Sequence, residues 1–396
     1  MALSLALVSL QHWAILSKVS MPNTIASAKI GDDAASAVEQ RVLGWCRAHK
    51  DATVAEKREA AKLIMEGFVQ AYDDKAAEFA SQWYDYRAEQ GGARLRQAVT
   101  MTVYEPGSVD DVARYQAKKL AKEGDAAFAR ACGEFARNDA FRSLNETIIA
   151  NVGRDRDKGA MFARVPTGTE TCTFCLMLAS RGAVYHTRKT AGEWRHFHRG
   201  CDCKVVPSFE GDPDAELVQG VKPKELYERY RMLKQIDSME ALDASNRMEL
   251  KERALKADVG SIAGKKLGSV KYVKQRDSLE EHEKAGIDYL LLNGFDVETI
   301  YEDPDAPANL DISMNGELWE MKNLTNCASS VSNQVKRARV KWFKLGLSSP
   351  SRCVFTNEGN RDGFTETCAA LEKRRRRGEV FLVVSDSGVI EVLKDK

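Results

Sequence analysis

Asn309-Leu-Asp-Ile-Ser-Met-Asn-Gly-Glu-Leu-Trp-Glu-Met-Lys322 alternates residue types, turns once, and alternates again. Asn315-Gly316 is the dipeptide favoured in a two-residue hairpin, because both positions need positive φ. With that turn set, Met314 faces Glu317, Ser313 faces Leu318, Ile312 faces Trp319 and Asp311 faces Glu320. Side chains alternate between faces along a strand. Ile312, Met314, Trp319 and Met321 therefore share one face, and Asp311, Glu320 and Lys322 share the other. Directly opposed residues have Cβ atoms about 5 Å apart, and like charges there repel. Two carboxylates held so close call for a cation. A divalent metal between them, with a lysine one step along, is equipment for hydrolysing a phosphodiester. The competing expectation is an ordinary amphipathic hairpin, apolar face inward and charged face in water.

The same residues resemble the PD-(D/E)xK nuclease signature, carried here by Leu310-Asp311 and Glu320-Met321-Lys322. Asn309-Leu310 stands where the family usually has proline, so only the carboxylate half of that element matches. The flanks agree with the resemblance. Glu281 to Val297 reads as a helix ending at Gly294 and then a strand, and Ser329 to Trp342 reads as a second helix. This order is similar to the C-terminal toxin nucleases of contact-dependent inhibition (CdiA-type) proteins, over roughly the last third of the chain. The resemblance implies that Asp311 and Glu320 hold Mg²⁺, or Mn²⁺ or Zn²⁺ in its place, and that Lys322 serves the attacking water or the phosphate. It adds Glu283 as a further acidic residue, with Glu281 as the fallback, and Gln334 from the following helix, with Ser329 the weaker choice. The substrate would be tRNA or DNA, and a small immunity protein would be a partner.

At 396 residues the chain has room for two or three domains, and its net charge of +1 gives no global signal for nucleic acid. The basic footprints are local: Lys336, Arg337, Arg339, Lys341 and Lys344 on a predicted helix, and Lys373 to Arg377, including Arg374 and Arg375. Each alone reads as a solvated face; beside a metal site, phosphate contact is the better expectation. Met1 to Leu10 is apolar but lacks a basic lead, and Gln11-His12-Trp13 interrupts it, so it reads as a helix start or an artefact of the start codon rather than a signal peptide. No later stretch is apolar for long enough to span a bilayer.

Five of the nine cysteines are scattered and read as buried thiols. The other four cluster: Cys172-Thr-Phe-Cys175, then His198-Arg-Gly-Cys201-Asp-Cys203. That spacing fits a tetrahedral structural zinc held by Cys172, Cys175, His198 and Cys203, with Cys201 the alternate. A metal-free turn packed by thiols, and an open catalytic zinc, are the other possibilities.

These residues lie within a longer stretch that looks like the Mu F-like minor head (head morphogenesis) proteins of tailed phages. It is carried by Arg164 to Gly168, Cys172 to Tyr185 and His198 to Pro207, with Phe79 to Arg87 resembling the helical half of those proteins. The resemblance covers roughly residues 30–235. It implies a structural virion protein near the portal, with portal and capsid proteins as partners, found in the virion and the bacterial cytoplasm. The fold expected is multidomain. Residues 1–160 should be helical, with a turn at Tyr104 to Gly107 and a new helix start capped by Asp110; 161–210 should be an irregular, zinc-pinned segment; 211–262 should be a charged, exposed helical connector. Residues 263–396 should form an α/β nuclease-like domain. Leu63, Ile64, Gly67, Phe68, Ala71, Tyr72, Phe79 and Trp83 recur near a helical period, as an amphipathic helix requires, and the aromatics among them are expected in the core. The rival from another class is a purely structural head protein whose last domain is an inactive, nuclease-like docking fold.

Overall fold

Thr53 and Glu56 start the longest helix by capping each other. The Glu56 N–H donates to Thr53 Oγ1 (3.3 Å) and the Thr53 N–H donates to Glu56 Oε2 (2.7 Å), so two otherwise orphaned amides are satisfied. The computed structural model describes residues 24–166, 173–192, 203–324, 327–347, 351–357 and 363–394. The chain divides into two units, Met1–Pro223 and Lys224–Lys396.

In the first unit, helices α1 (Thr24–Ala48), α2 (Val54–Gln90), α3 (Pro106–Gln116) and α4 (Leu120–Arg154, interrupted at Gly124) pack together. They are followed by a two-stranded antiparallel ribbon of β1 (Met161–Pro166) and β2 (Cys203–Ser208), with the short helix α5 (Thr173–Ala179) between. The core stripe of α2 is Ala61, Met65, Val69, Ala76, Ala80, Trp83 and Tyr84; Ile64, Phe68, Tyr72 and Phe79 pack at its margin. Leu63, Gly67 and Ala71, which fit the same apolar period, are exposed. Small alanines, which carry little hydropathy, mark the closest approach of the helices, and the bulky residues flank it. The third helix also starts earlier than expected. Proline is tolerated in the first turn, so Pro106 opens α3, and Asp110 lies inside it, paired with Arg114.

Between α2 and α3 an extended stretch is fastened to α4 by side chains. Asn151 Oδ1 accepts the Val99 N–H (2.9 Å), Thr147 Oγ1 accepts Met101 N–H (2.9 Å) and Ser143 Oγ accepts Val103 N–H (3.0 Å). Asn151 and Thr147 also donate back to the Val99 and Met101 carbonyls. These three residues recur every fourth position and therefore lie on one face of the helix.

Two carboxyls are buried where α2 meets α4. Asp73 and Asp139 are both fully enclosed, and Asp139 pairs with Arg142 (2.9 Å). Burial, with repulsion from Asp139, pushes the Asp73 carboxyl up to about 8 from its ordinary 3.8. The native state thus holds a proton that the unfolded chain releases, so stability falls as pH rises through the interval between those values. Asp73→Asn is never charged and should flatten that slope. A gain of at least about 1 kcal/mol at pH 7.5, near one pKa unit's worth, is expected in urea titrations at pH 5 and 7.5. An unchanged slope would show that Asp73 is not the group responsible.

The second unit begins with α6 (Pro223–Asp237) and α7 (Ala244–Lys256). Where an exposed arm was expected, Met232, Leu233, Ile236, Leu242, Leu250 and Ala254 are buried. Widely spaced apolar residues suffice when long Arg stems cover the rest, as with Arg231, which donates to the Lys265 carbonyl (2.6 Å). Then come β3 (Val270–Lys271), α8 (Glu281–Leu292), β4 (Val297–Thr299), β5 (Ile312–Met314), β6 (Glu317–Asn323), α9 (Cys327–Lys344), β7 (Arg352–Asn357), α10 (Phe364–Glu372), β8 (Val380–Ser385) and β9 (Ile390–Leu393). The strands form one seven-stranded sheet in sequence order, antiparallel at β4–β5–β6 and β8–β9 and parallel elsewhere. The chain is thus multidomain, helical first and built on a sheet afterwards.

Helix α8 lies so close to the sheet that a Cβ at Gly286 would meet Met321 Cε at 2.4 Å. It is tied down by Asp288, buried, which accepts both Arg276 guanidinium nitrogens at 2.7 Å and Arg253 at 3.0 Å. Burial works against the Arg276 charge, but Asp288 holds it above its ordinary value. The opposite face of the sheet carries Cys353, Phe355, Phe381 and Val383, covered by Val331, Val335 and Ala338 of α9 and Leu371 of α10.

Candidate active site

The hairpin has the register read from the turn: Met314 opposite Glu317, Ser313 opposite Leu318, Ile312 opposite Trp319. Asn315 (φ 53°) and Gly316 (φ 80°) both take positive φ at the bend. Ile312, Met314, Trp319 and Met321 are all buried. The ladder stops at Ile312, one residue short of Asp311. There the Asp311 N–H donates to the Trp319 carbonyl (3.2 Å), and Asp311 Oδ2 accepts the Met321 N–H (2.6 Å). Asp311 is thereby fixed by its neighbour strand rather than by strand pairing.

Strand β6 is interior to the sheet, so its charged face is covered as well. Glu320 lies beside Cys353, and Lys322 beside Phe355, on the face packed by α9. Glu320 has no exposed surface. Burial pushes its carboxyl up to about 7, repulsion from Asp311 adds to this, and Lys322 and Lys341 oppose it. Glu320 Oε1 pairs with Lys322, and the ammonium of Lys341 lies 2.7 Å from Glu320 Oε1 and 3.6 Å from Asp311 Oδ1. Burial alone would lower the Lys341 ammonium; Asp311 and Glu320 together hold it above the ordinary lysine value.

Lys341 Nζ therefore stands where a cation shared by two carboxylates would sit, and the donor set suits a hard cation. Among the described residues no group of three or more His, Cys, Asp or Glu gathers as a metal cage. Mg²⁺ does not need one, since it commonly takes one or two carboxylates and fills its sphere with water and phosphate oxygens. Lys341→Met should free the pair for metal. Calorimetric titration of the full chain with Mn²⁺ should then show tighter binding on the order of tenfold, near 1.4 kcal/mol. Unchanged or weaker affinity would mean that Lys341 does not compete with a cation.

A cleft of about 920 Å³ opens over this cluster. Asp311, Lys322, Glu283, Gln334, Lys336, Arg337 and Lys341 line it, so most of the residues singled out in the sequence converge on one space. Glu283 is partly engaged, since its Oε2 accepts the Glu280 N–H (2.8 Å) at the start of α8. Gln334 donates to the Asn323 carbonyl (3.2 Å), while its Oε1 and Asn323 Oδ1 have no hydrogen-bond partner among the described residues. Glu281 pairs with Lys284 at the surface and is not part of the lining.

Three basic residues are elsewhere. Arg339 lies on another side of α9 and grips Glu379 with two bonds of 2.7 Å. Arg374 donates to the Ala370 carbonyl and Arg375 pairs with Glu372, both at the end of α10. Their positive charge holds the helix ends and the β8 entry in place of facing the cleft. His282 and Glu302 line the cleft without having been singled out; Glu302 pairs with Lys274 (2.7 Å). Glu302 lies in the irregular stretch before the hairpin, where no periodicity gives a direction.

In the first unit, Cys172, His198 and Cys201 lie outside the described residues. Cys175 on α5 and Cys203 at the start of β2 are both buried, and Cys175 Sγ lies 3.6 Å from the guanidinium of the enclosed Arg164. Among the described residues no helix is long and apolar enough to cross a membrane.

Comparison with known proteins bears on the first unit. The chain is 35% identical to the Gene 15 protein of Mycobacterium phage D29, in a match covering 12% of this chain and 28% of that one. It is 33% identical to the Gene 15 protein of Mycobacterium phage L5, covering 12% and 29%. The chain thus spans under a third of the length of these curated relatives. No solved structure matches it. The relatives point to a phage protein. A family described as VG15 protein matches residues 22–233, more than half of the chain, and the protein belongs to that family.

Proposed function

We propose that this is a phage minor head protein whose second unit is a metal-dependent nuclease of the PD-(D/E)xK class, acting as a toxin on tRNA or DNA. Family membership over residues 22–233 and the phage relatives support the head-protein part. The nuclease rests on one observation: Glu320, wholly enclosed, pairs with Lys322 and is bridged to Asp311 by Lys341, and Asp311, Lys322 and Lys341 line an open cleft. A buried carboxylate with a strongly raised pKa beside a second acid is the kind of group found at functional sites, which supports a chemical use.

Asp311 and Glu320 would hold the cation, which when bound supplies charge stabilisation and an acidified water. The Lys322 ammonium, anchored on Glu320, is placed to steady charge on a scissile phosphate. Lys336 and Arg337 on the cleft wall would seat the flanking phosphates, beside Gln334 and Asn323 of the lining. The test is cleavage of tRNA and of DNA by the full chain with added Mg²⁺ or Mn²⁺, with chelator as the blank. No cleavage of either substrate under any metal would leave the structural alternative, which the Lys341 bridge favours because it already neutralises both acids.

The zinc quartet belongs to the same proposal. A deprotonated Cys175 would suit the buried Arg164 beside it, and zinc ligation requires that form of the thiol. Portal and capsid proteins, and a neutralising immunity protein, would be the partners, in the virion and the host cytoplasm.

A further inference from the structure

Helix α9 has one face on the core and another fanning out of the cleft. With about 100° per residue, Lys341 and Gln334 point deepest, Arg337 follows, then Asn333 and Val340, then Lys336; Phe343 and Lys344 lie on the next turn, just beyond the lining. The helix sequence Cys327–Lys344 contains five basic residues and no acidic one. Phe343 is 86% exposed, the most of any large apolar side chain described, and Val340 beside it is 44% exposed. Among the described residues none covers the Phe343 ring, and Val340, one turn back, lines the cleft. An apolar protein partner would be expected to meet acidic or neutral neighbours about as often as basic ones. Here the helix that carries the ring also carries Lys336, Arg337 and Lys344, which make no ion pair among the described residues, while Arg339, one turn back, pairs with Glu379.

We infer that the outer rim of α9 is a stacking platform for an unpaired base, and that the cleft takes single-stranded or looped nucleic acid in preference to duplex. Phosphates would track along Arg337, Lys344 and Lys336, and a splayed base would lie on Phe343, which a base held inside a duplex cannot do. The inference rests on the phosphodiester role of the cleft and names the form of its substrate.

The experiment measures binding, so that it does not depend on catalysis. The full chain, with chelator present, is titrated into a fluorescent 12-nucleotide single strand and into the same sequence as a blunt duplex. The single strand should bind more tightly. Phe343→Ala should weaken that binding about 5- to 100-fold, the span of one stacked base, and leave duplex binding unchanged. Phe343→Trp should restore it, and Lys336→Ala should weaken both forms and reduce the salt dependence. Equal single-strand affinity for the wild type and Phe343→Ala would overturn the inference, even if the chain proved to be a nuclease. Loss of binding in Phe343→Ala without any cleavage by the metal-loaded wild type would uphold it while refuting the nuclease. A protein that masks Phe343 without displacing the oligonucleotide would also overturn it.

Discussion

Lys322→Ala should abolish most nucleic-acid cleavage by the full chain, by a factor on the order of 10²–10³ in rate at saturating substrate. That is what removing one charge-stabilising donor from a transition state costs, about 3–4 kcal/mol. The alanine would remove one of the two ammoniums on Glu320 and leave the other, Lys341, in place. The fold should therefore hold, which circular dichroism can verify. Asp311→Ala should be at least as severe, since it removes one of the two groups proposed to hold the cation. It should also reduce Mn²⁺ binding, which Lys322→Ala should not. Cleavage at wild-type rates by either variant would dispose of the mechanism. The pair separates two roles that rate measurements alone would merge.

Asp288→Ala should destabilise the second unit by about 3–5 kcal/mol, the usual result of stripping one partner from a buried ion pair. Two guanidiniums, Arg276 and Arg253, converge on that carboxylate, and Arg276 is itself enclosed. Removing the acid leaves a buried cation with Glu249 and the Tyr272 hydroxyl as its remaining side-chain partners among the described residues. Hydrogen exchange at the Leu290, Leu291 and Leu292 amides reports on α8 without mixing in the first unit, and should accelerate by more than a hundredfold. Acceleration under tenfold would mean that Asp288 is incidental to the fold. Because α8 carries Glu283 into the cleft, the variant should lose cleavage through the structure rather than the chemistry.

The second unit was largely legible because its signals are local. Asn315-Gly316 fixes a turn by φ alone, and the register of Ile312 and Trp319 follows arithmetically. The order of elements from residue 278 onward could be read from alternation between two periods. What could not be read was anything set by a distant side chain. Nothing near Lys341 in sequence says that it bridges Asp311 and Glu320 while its neighbour but one, Arg339, turns to Glu379. The basic run at Arg374 and Arg375 looks like a phosphate footprint by composition, yet its guanidiniums close the end of α10. In the first unit the alanine-rich stripe of α2 misled, because hydropathy picks out Leu63 whereas close helix packing picks out Ala61 and Met65. The segment from Lys224 to Lys256 misled likewise: charge counts see Arg and Lys heads, and the core uses their stems.

The stretch fastened to α4 between Val99 and Val103 has no neighbouring strand and would pass for a surface loop. Its grip nevertheless depends on a coincidence of pitch: four residues of helix rise about 6 Å, nearly the length of two extended residues, about 6.6 Å. Ser143, Thr147 and Asn151 can therefore engage every second amide. One inserted or deleted residue would bring the wrong amides round to all three. Loops ordinarily absorb changes in length; this one is ruled like a tape measure, and its length is as constrained as that of any strand.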